Sequence, residues 1–212
     1  MLRQLCILAV LLIIPAGALE AQLVQLQGSL SAANQNGSDP AFITDPNGVV
    51  PSSAVGTIFG VLDTNASTFD FDLNVDGIFR TNLMNFGPNA TPIHLHLPAN
   101  GTPGGFGPVV VDLTLGATIA DFVDTANGFQ LSRSVSVLQQ DQGNVTTHPG
   151  DSVINGALQS DDAFVLVHTD NSAINGFPFG EIRGNLTAVP EPSAFVILGI
   201  GSLLFVGRRR RS

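Results

Sequence analysis

His94 and His96 lie two residues apart in the run Ile93–Leu97. In a strand, alternate side chains share a face. The two imidazoles therefore point one way, and Ile93, Leu95 and Leu97 the other. A third histidine, His168, ends another strand-like run, Ala163–His168. Two histidines at i and i+2 can chelate together, and a third from a neighbouring strand completes a three-nitrogen site of the kind copper or zinc takes. The same side chains also suit a plainer role, hydrogen bonding within a polar strip with Glu181 or Asp170 as partners. The residues alone favour that plainer role, so no cofactor is expected, with copper or zinc as the alternative.

Other constellations carry less chemistry. Asp72-Leu-Asn74-Val-Asp76-Gly77 matches the first half of a calcium loop, but Leu83 stands where a bidentate glutamate is required. Its alternating Phe and Leu residues fit a strand ending in a turn. Ser152, His148 and Asp151 lie in one polar segment without a Gly-x-Ser-x-Gly elbow, so a hydrolase is not expected. Asn36, Asn65, Asn89, Asn100, Asn144 and Asn185 each begin an Asn-x-Ser/Thr triplet. They read most simply as turn and strand residues.

Several elements must position these residues. Thr68–Val75 alternates cleanly, with Phe69, Phe71, Leu73 and Val75 against Asp70, Asp72 and Asn74, which marks a half-buried antiparallel strand. Gln22–Ala32, Val55–Leu62, Gln130–Leu138, Ala163–His168 and Glu181–Thr187 also read as strands. Ile93–Leu97 and Pro108–Leu115 form a pair around a loop punctuated by Pro98, Pro103, Gly104, Gly105 and Gly107. Asn34–Pro51, Asn82–Pro92, Gln139–Gly150 and Asn171–Gly180 are loops or turns. Ala117–Thr125 is a short helix or an irregular connection, and Asp151–Ser160 a short helix capped by Asp151 or Ser152. About eight short strands with little helix predict an all-β fold, an antiparallel Greek-key-like β-sandwich.

Both ends stand apart from that fold. Residues 1–21 carry Arg3, the apolar run Leu5–Ile14 and small residues to Ala21, the layout of a secretory signal peptide. Cys6 is the only cysteine and would leave with it, so no disulfide can hold the remaining domain, residues 22–188. There is no lysine in the chain, and without its two ends fifteen acidic residues face Arg80, Arg133 and Arg183, a net charge of −12. Such a surface repels nucleic acid and anionic lipid, and nucleic-acid binding is excluded on that ground.

Three segments, IHLHLPANG at 93–101, GPVVVDL at 107–113 and FVLVHTDNSAINGFPFGEIRGNL at 164–186, together resemble the CHRD domain, first described in chordin and common in secreted bacterial proteins. His94, His96, His168, Thr169, Gly180, Glu181, Ile182, Arg183 and Gly184 fall on family positions. Leu97, where the family often has glycine, and an insert around Gln139–Gly150 depart from the pattern. The resemblance implies a β-sandwich in an extracellular setting and no established enzymatic activity. The His-x-His strand is also similar to that of the copper/zinc superoxide dismutases, but the chain lacks their further histidines and their disulfide, so their chemistry does not follow.

The tail, residues 189–212, opens with Pro190-Glu191-Pro192, continues with thirteen mostly apolar residues, Ala194–Val206, and ends in the cluster Arg208, Arg209, Arg210 and Arg211. This order resembles a PEP-CTERM sorting signal. The prolines stop the last strand, the apolar segment enters the inner membrane as a transmembrane sorting helix, and the arginines stay cytoplasmic. The resemblance implies an exosortase-type transpeptidase as partner. It also implies a path from the inner membrane to the cell surface or the extracellular space. The expectation is a non-enzymatic exported surface or matrix protein, with extracellular polysaccharide or matrix proteins as further partners. The alternative is a metal-binding or redox domain built on the three histidines.

Overall fold

Wherever the sequence alternates with period two, a strand results. The protein is described here by a computed structural model covering residues 23–36, 50–84, 91–98, 107–138, 151–170, 177 and 180–189. Strand β1 (Leu23–Ser31) leads into a short helix, α1 (Ala32–Asn36), and then come β2 (Val55–Asp63) and β3 (Thr68–Asp76). The short strands β4 (Ile93–His96) and β5 (Val109–Asp112) follow, then β6 (Val123–Asp124) and β7 (Gly128–Ser136). Helix α2 (Asp151–Gln159) precedes β8 (Phe164–Val167), β9 (Ile182–Asn185) and β10 (Thr187–Ala188). The signal peptide and the tail from Pro190 onward lie outside the described residues. Among the described residues no helix is long and apolar enough to cross a membrane.

Three stretches differ from the expectation. The turn-rich segment after β1 begins with α1, where the Asn34 side chain donates to the carbonyls of Ser29 and Arg183 at 2.9 and 3.0 Å. Ala117–Thr125 is a single 3-10 turn, Ile119–Asp121, followed by β6, because the Asp121 carboxylate folds back on the Thr118 backbone N–H at 2.6 Å. The last strand breaks at Leu186, whose N–H turns aside to the Ala163 carbonyl at 2.9 Å and whose side chain is buried. The remainder of that strand becomes β10.

Every pairing is antiparallel, and the sheet runs β5-β4-β8-β9-β1-β2-β3-β7-β6, with β10 also on β1. The all-β antiparallel class is as the alternation predicts. Its two halves belong to one continuous sheet curled as a half-barrel. β1 is the seam: it pairs with β2 along its whole length, while its other edge meets β10 at Leu26 and Gln27 and β9 at Ser31.

A single hydrophobic cluster joins the halves. Leu26, Leu30, Ile58, Phe69, Leu73, Phe129 and Leu131 come from one half, and Ile93, Leu95, Val165, Val167 and Ile182 from the other. Ile154 and Leu158, one helical turn apart on α2, bury their side chains in the same cluster. Burying apolar surface of this kind contributes roughly 25 cal/mol per Å², and with no disulfide in the domain it is what holds the fold. At the start of β7, Gly128 has no room for a side chain: a Cβ there would lie 2.1 Å from the Val75 carbonyl oxygen.

Candidate functional site

Strands β4 and β8 are buried on both faces. One face, with Ile93, Leu95, Val165 and Val167, belongs to the common core. The other carries polar groups. Ladder register sets His94 beside Leu166 and Asp112, His96 beside Phe164, and Leu166 beside Arg183. Among the described residues eleven polar side chains are buried, and nine of them, from Thr91 to Arg183, lie on β4, β5, β8, β9 or residues adjoining them. Buried polar groups are the informative departures from a simple core, so this half of the sheet holds the candidate site.

The structure brings His94, His96 and His168 together, all buried, with one ring nitrogen from each lying within 4.8 Å of the others. Ring centroids are 5.7 Å apart for His94 and His96, 4.8 Å for His94 and His168 and 6.0 Å for His96 and His168. The backbone fixes each position. Between Leu95 and His96 the β4–β5 register slips by one residue, a bulge that re-aims the side chains beside it. His168, just past β8, is held by its N–H on the Pro92 carbonyl at 2.7 Å and its own carbonyl on the Met84 N–H at 3.1 Å.

Hydrogen bonds and charge set the state of the rings. Nδ1 of His96 lies 2.9 Å from the Gly107 carbonyl and must donate to it, so Nε2 carries the lone pair. Nε2 of His94 is 2.5 Å from the Thr91 hydroxyl. Burial, then the charges of His168 and His96, hold the His94 imidazole well below its ordinary value. Burial, then His168 and Arg183, push His96 down to about 3, against a smaller upward pull from the Gly107 hydrogen bond. Both rings are therefore neutral at pH 7.

Phe164 packs this face. Its ring stacks on His96 with centroids 5.1 Å apart and planes 13° apart, and the Arg183 guanidinium carbon sits 3.5 Å from its centroid. Burial lowers the Arg183 guanidinium to about 10, still charged at neutral pH and stabilised by the ring's π face. The polar strip expected around the histidines is present, with other partners than Glu181. That carboxylate accepts from the Ser52 hydroxyl at 2.6 Å and the Thr169 hydroxyl at 2.7 Å. Just before it, Gly180 takes φ +115°, and a Cβ there would press on Leu166 at 2.9 Å.

The sequence reading missed Thr91, Gly107, Asp112 and the packing role of Phe164. Asp112 is fully buried and accepts from the Thr114 N–H at 2.8 Å and hydroxyl at 2.9 Å. The one available signal was a lone aspartate closing the apolar run Val109–Val111. Asp72–Asp76 lies in β3 with its carboxylates outward, as the alternation predicts. Ser152 is exposed near the start of α2, and His148 lies outside the described residues. So do Pro190, Glu191, Pro192 and Arg208–Arg211.

A second feature lies on the outer face of β1, β2 and β3. Gln27, Phe59 and Asp72 form one cross-strand row, and Ser29, Thr57 and Asn74 the next. With Asn185 and Thr187 they line a groove of about 500 Å³. Phe59, 46% exposed, also lines a neighbouring depression of about 420 Å³ that includes Asp70 and Ser132.

Comparison with known proteins gives two family matches: the CHRD domain over residues 26–186 and the PEP-CTERM protein-sorting motif over residues 188–211. No curated protein and no solved structure matches the chain. The sorting motif marks an exported protein that is held in the membrane in transit, is processed by an exosortase and then reaches the cell surface or the extracellular space. The match over 26–186 spans both halves of the sheet and all three histidines, so the chain belongs to the CHRD domain family.

Proposed function

We propose that the exported domain is a non-enzymatic binding module that holds uncharged polysaccharide at the cell surface or in the extracellular matrix. The observation that carries this reading is the outer face of β1–β3. There the amides of Gln27, Asn74 and Asn185 and the hydroxyls of Ser29, Thr57 and Thr187 line one groove beside the exposed Phe59 ring. Amides and hydroxyls both donate and accept, as the many hydroxyls of a sugar chain require. Phe59 offers an apolar platform for the C–H face of a sugar ring, in keeping with the enrichment of aromatic residues at binding surfaces. Asp70 and Asp72 on the same face, and the net charge of −12 without the two ends, repel anionic polymers.

Affinity electrophoresis of the processed protein tests this reading, with gels containing neutral glucans, galactomannan or, as a contrast, a polyuronate. At least one neutral polymer is expected to retard it and the polyuronate is not. Phe59→Ala should weaken the retardation about tenfold, since a central aromatic contact is worth at least 1.4 kcal/mol. No retardation by any neutral polymer, or an unchanged Phe59→Ala variant, would refute the reading.

A further inference from the structure

We propose that His94, His96 and His168 together bind one late first-row transition-metal ion, copper(I) or zinc(II), through three imidazole nitrogens. Separation is the first argument. With the three ligand atoms no more than 4.8 Å apart, a point exists no farther than about 2.8 Å from each of them. A zinc–imidazole bond is about 2.0–2.1 Å, so each nitrogen closes on the ion by less than about 0.8 Å. Small side-chain rotations supply that much.

The second argument is preorganisation. His94 and His96 come from one strand, fixed on both sides by β5 and β8. His168 is clamped through its backbone to Pro92 and Met84. The Gly107 carbonyl holds Nδ1–H of His96 at 2.9 Å, the arrangement that metal-binding histidines generally use to orient the ring and raise the basicity of the other nitrogen.

The third argument is chemical class. A donor set of imidazoles alone suits copper and zinc and not calcium or magnesium, which require oxygen. Charge bears on the choice within the class. The Arg183 guanidinium lies against Phe164 beside His96, while Asp112 stands across the ladder from His94. One neighbouring charge opposes the ion and one favours it, so the site has no excess negative charge. It therefore favours the singly charged copper(I) over zinc(II).

The test uses the processed protein recovered after export and stripped with a chelator. It is titrated in one arm with zinc(II) and in the other, under anaerobic reducing conditions, with copper(I), each against a competing chromophoric chelator. One equivalent per chain is expected in at least one arm, with an X-ray absorption spectrum showing three imidazole nitrogens at about 2.0 Å. Copper alone, zinc alone or both would support the site and identify the ion. His94→Asn and His168→Asn should each weaken the affinity at least about 100-fold, the upper end of what even second-layer changes produce. If either variant fails to fold, the absorption spectrum of the wild-type protein decides. An oxygen-dominated shell would place the ion on surface carboxylates and overturn the proposal. No stoichiometric binding in either arm, or unchanged affinity in both folded variants, would overturn it as well.

Discussion

Phe164 is the side chain through which the histidine face is packed, stacked on His96 and in contact with Arg183. Phe164→Ala should destabilise the domain by about 3–5 kcal/mol, read as a lower urea midpoint, and it should perturb His96 before the distant β3–β7 ladder. The buried histidines also set a pH dependence. In the native, metal-free protein His94 is held well below 6.5 and His96 at about 3. In the unfolded chain both take up protons as the pH falls through about 6.5. The unfolded state then binds more protons, so stability declines from about pH 6.5 toward pH 3. The decline is at most about 1.4 kcal/mol per pH unit for each histidine. Urea unfolding with a chelator present, at pH 7.5 and pH 5, should show it, and the double variant His94→Asn/His96→Gln should have a flatter profile. The pairing of His94 and His96 on one face was legible in the sequence, because strand periodicity alone dictates it. Their burial was not: a polar stripe on an alternating strand reads as solvent-facing, and only the chain packed over it decides otherwise. Asp112 and Phe164 were missed for the same reason, since their importance comes from which strand lies alongside.

Strand elements followed from local pattern where the pattern was long. β3 and β7 alternate over nine residues each and bury alternate residues from end to end or nearly so. Short elements did not follow. β10 exists because β1 offers an edge at Leu26 and Gln27, and the 3-10 turn at Ile119–Asp121 depends on the Asp121–Thr118 bond. Neither leaves a periodic trace. The β4–β5 register slip was likewise hidden, because Val109, Val110 and Val111 are equivalent in type. Close packing of the β3–β7 ladder gives a prediction at this scale. Gly128→Ala would set a Cβ 2.1 Å from the Val75 carbonyl oxygen and 2.9 Å from that of Ile78. No side-chain rotation relieves a clash with backbone, so the ladder must open there, at a cost of about 2–3 kcal/mol. Thermal unfolding should report the loss, with hydrogen exchange accelerating first at the Gly128 end of β7.

For the whole molecule, the tail is the part most fully written in the sequence, because it works as an ordered series of local features: prolines, an apolar run and arginines. Ala194–Val206 as an ideal helix is only about 20 Å long at 1.5 Å per residue. That is short of a comfortable span, which suits transit better than permanent anchoring. Replacing Pro190, Glu191 and Pro192 with alanine should leave an uncut protein in the inner-membrane fraction, its intact mass still including Arg208–Arg211. The outer groove lies at the opposite extreme. It takes three strands in register, plus Asn185 and Thr187 brought beside β1 by the curl of the sheet, and no single stretch of sequence announces it. The central claim joins the two: the tail delivers the domain, and the β1–β3 face retains it. The most direct test is to measure, in producing cells, how exported protein divides between matrix polysaccharide and free medium, for the wild type and for Phe59→Ala/Asn74→Ala. Both should be exported and cut alike. The account predicts that the wild type stays with the polysaccharide fraction while the variant moves into the medium. Equal retention of the two, with equal processing, would contradict it.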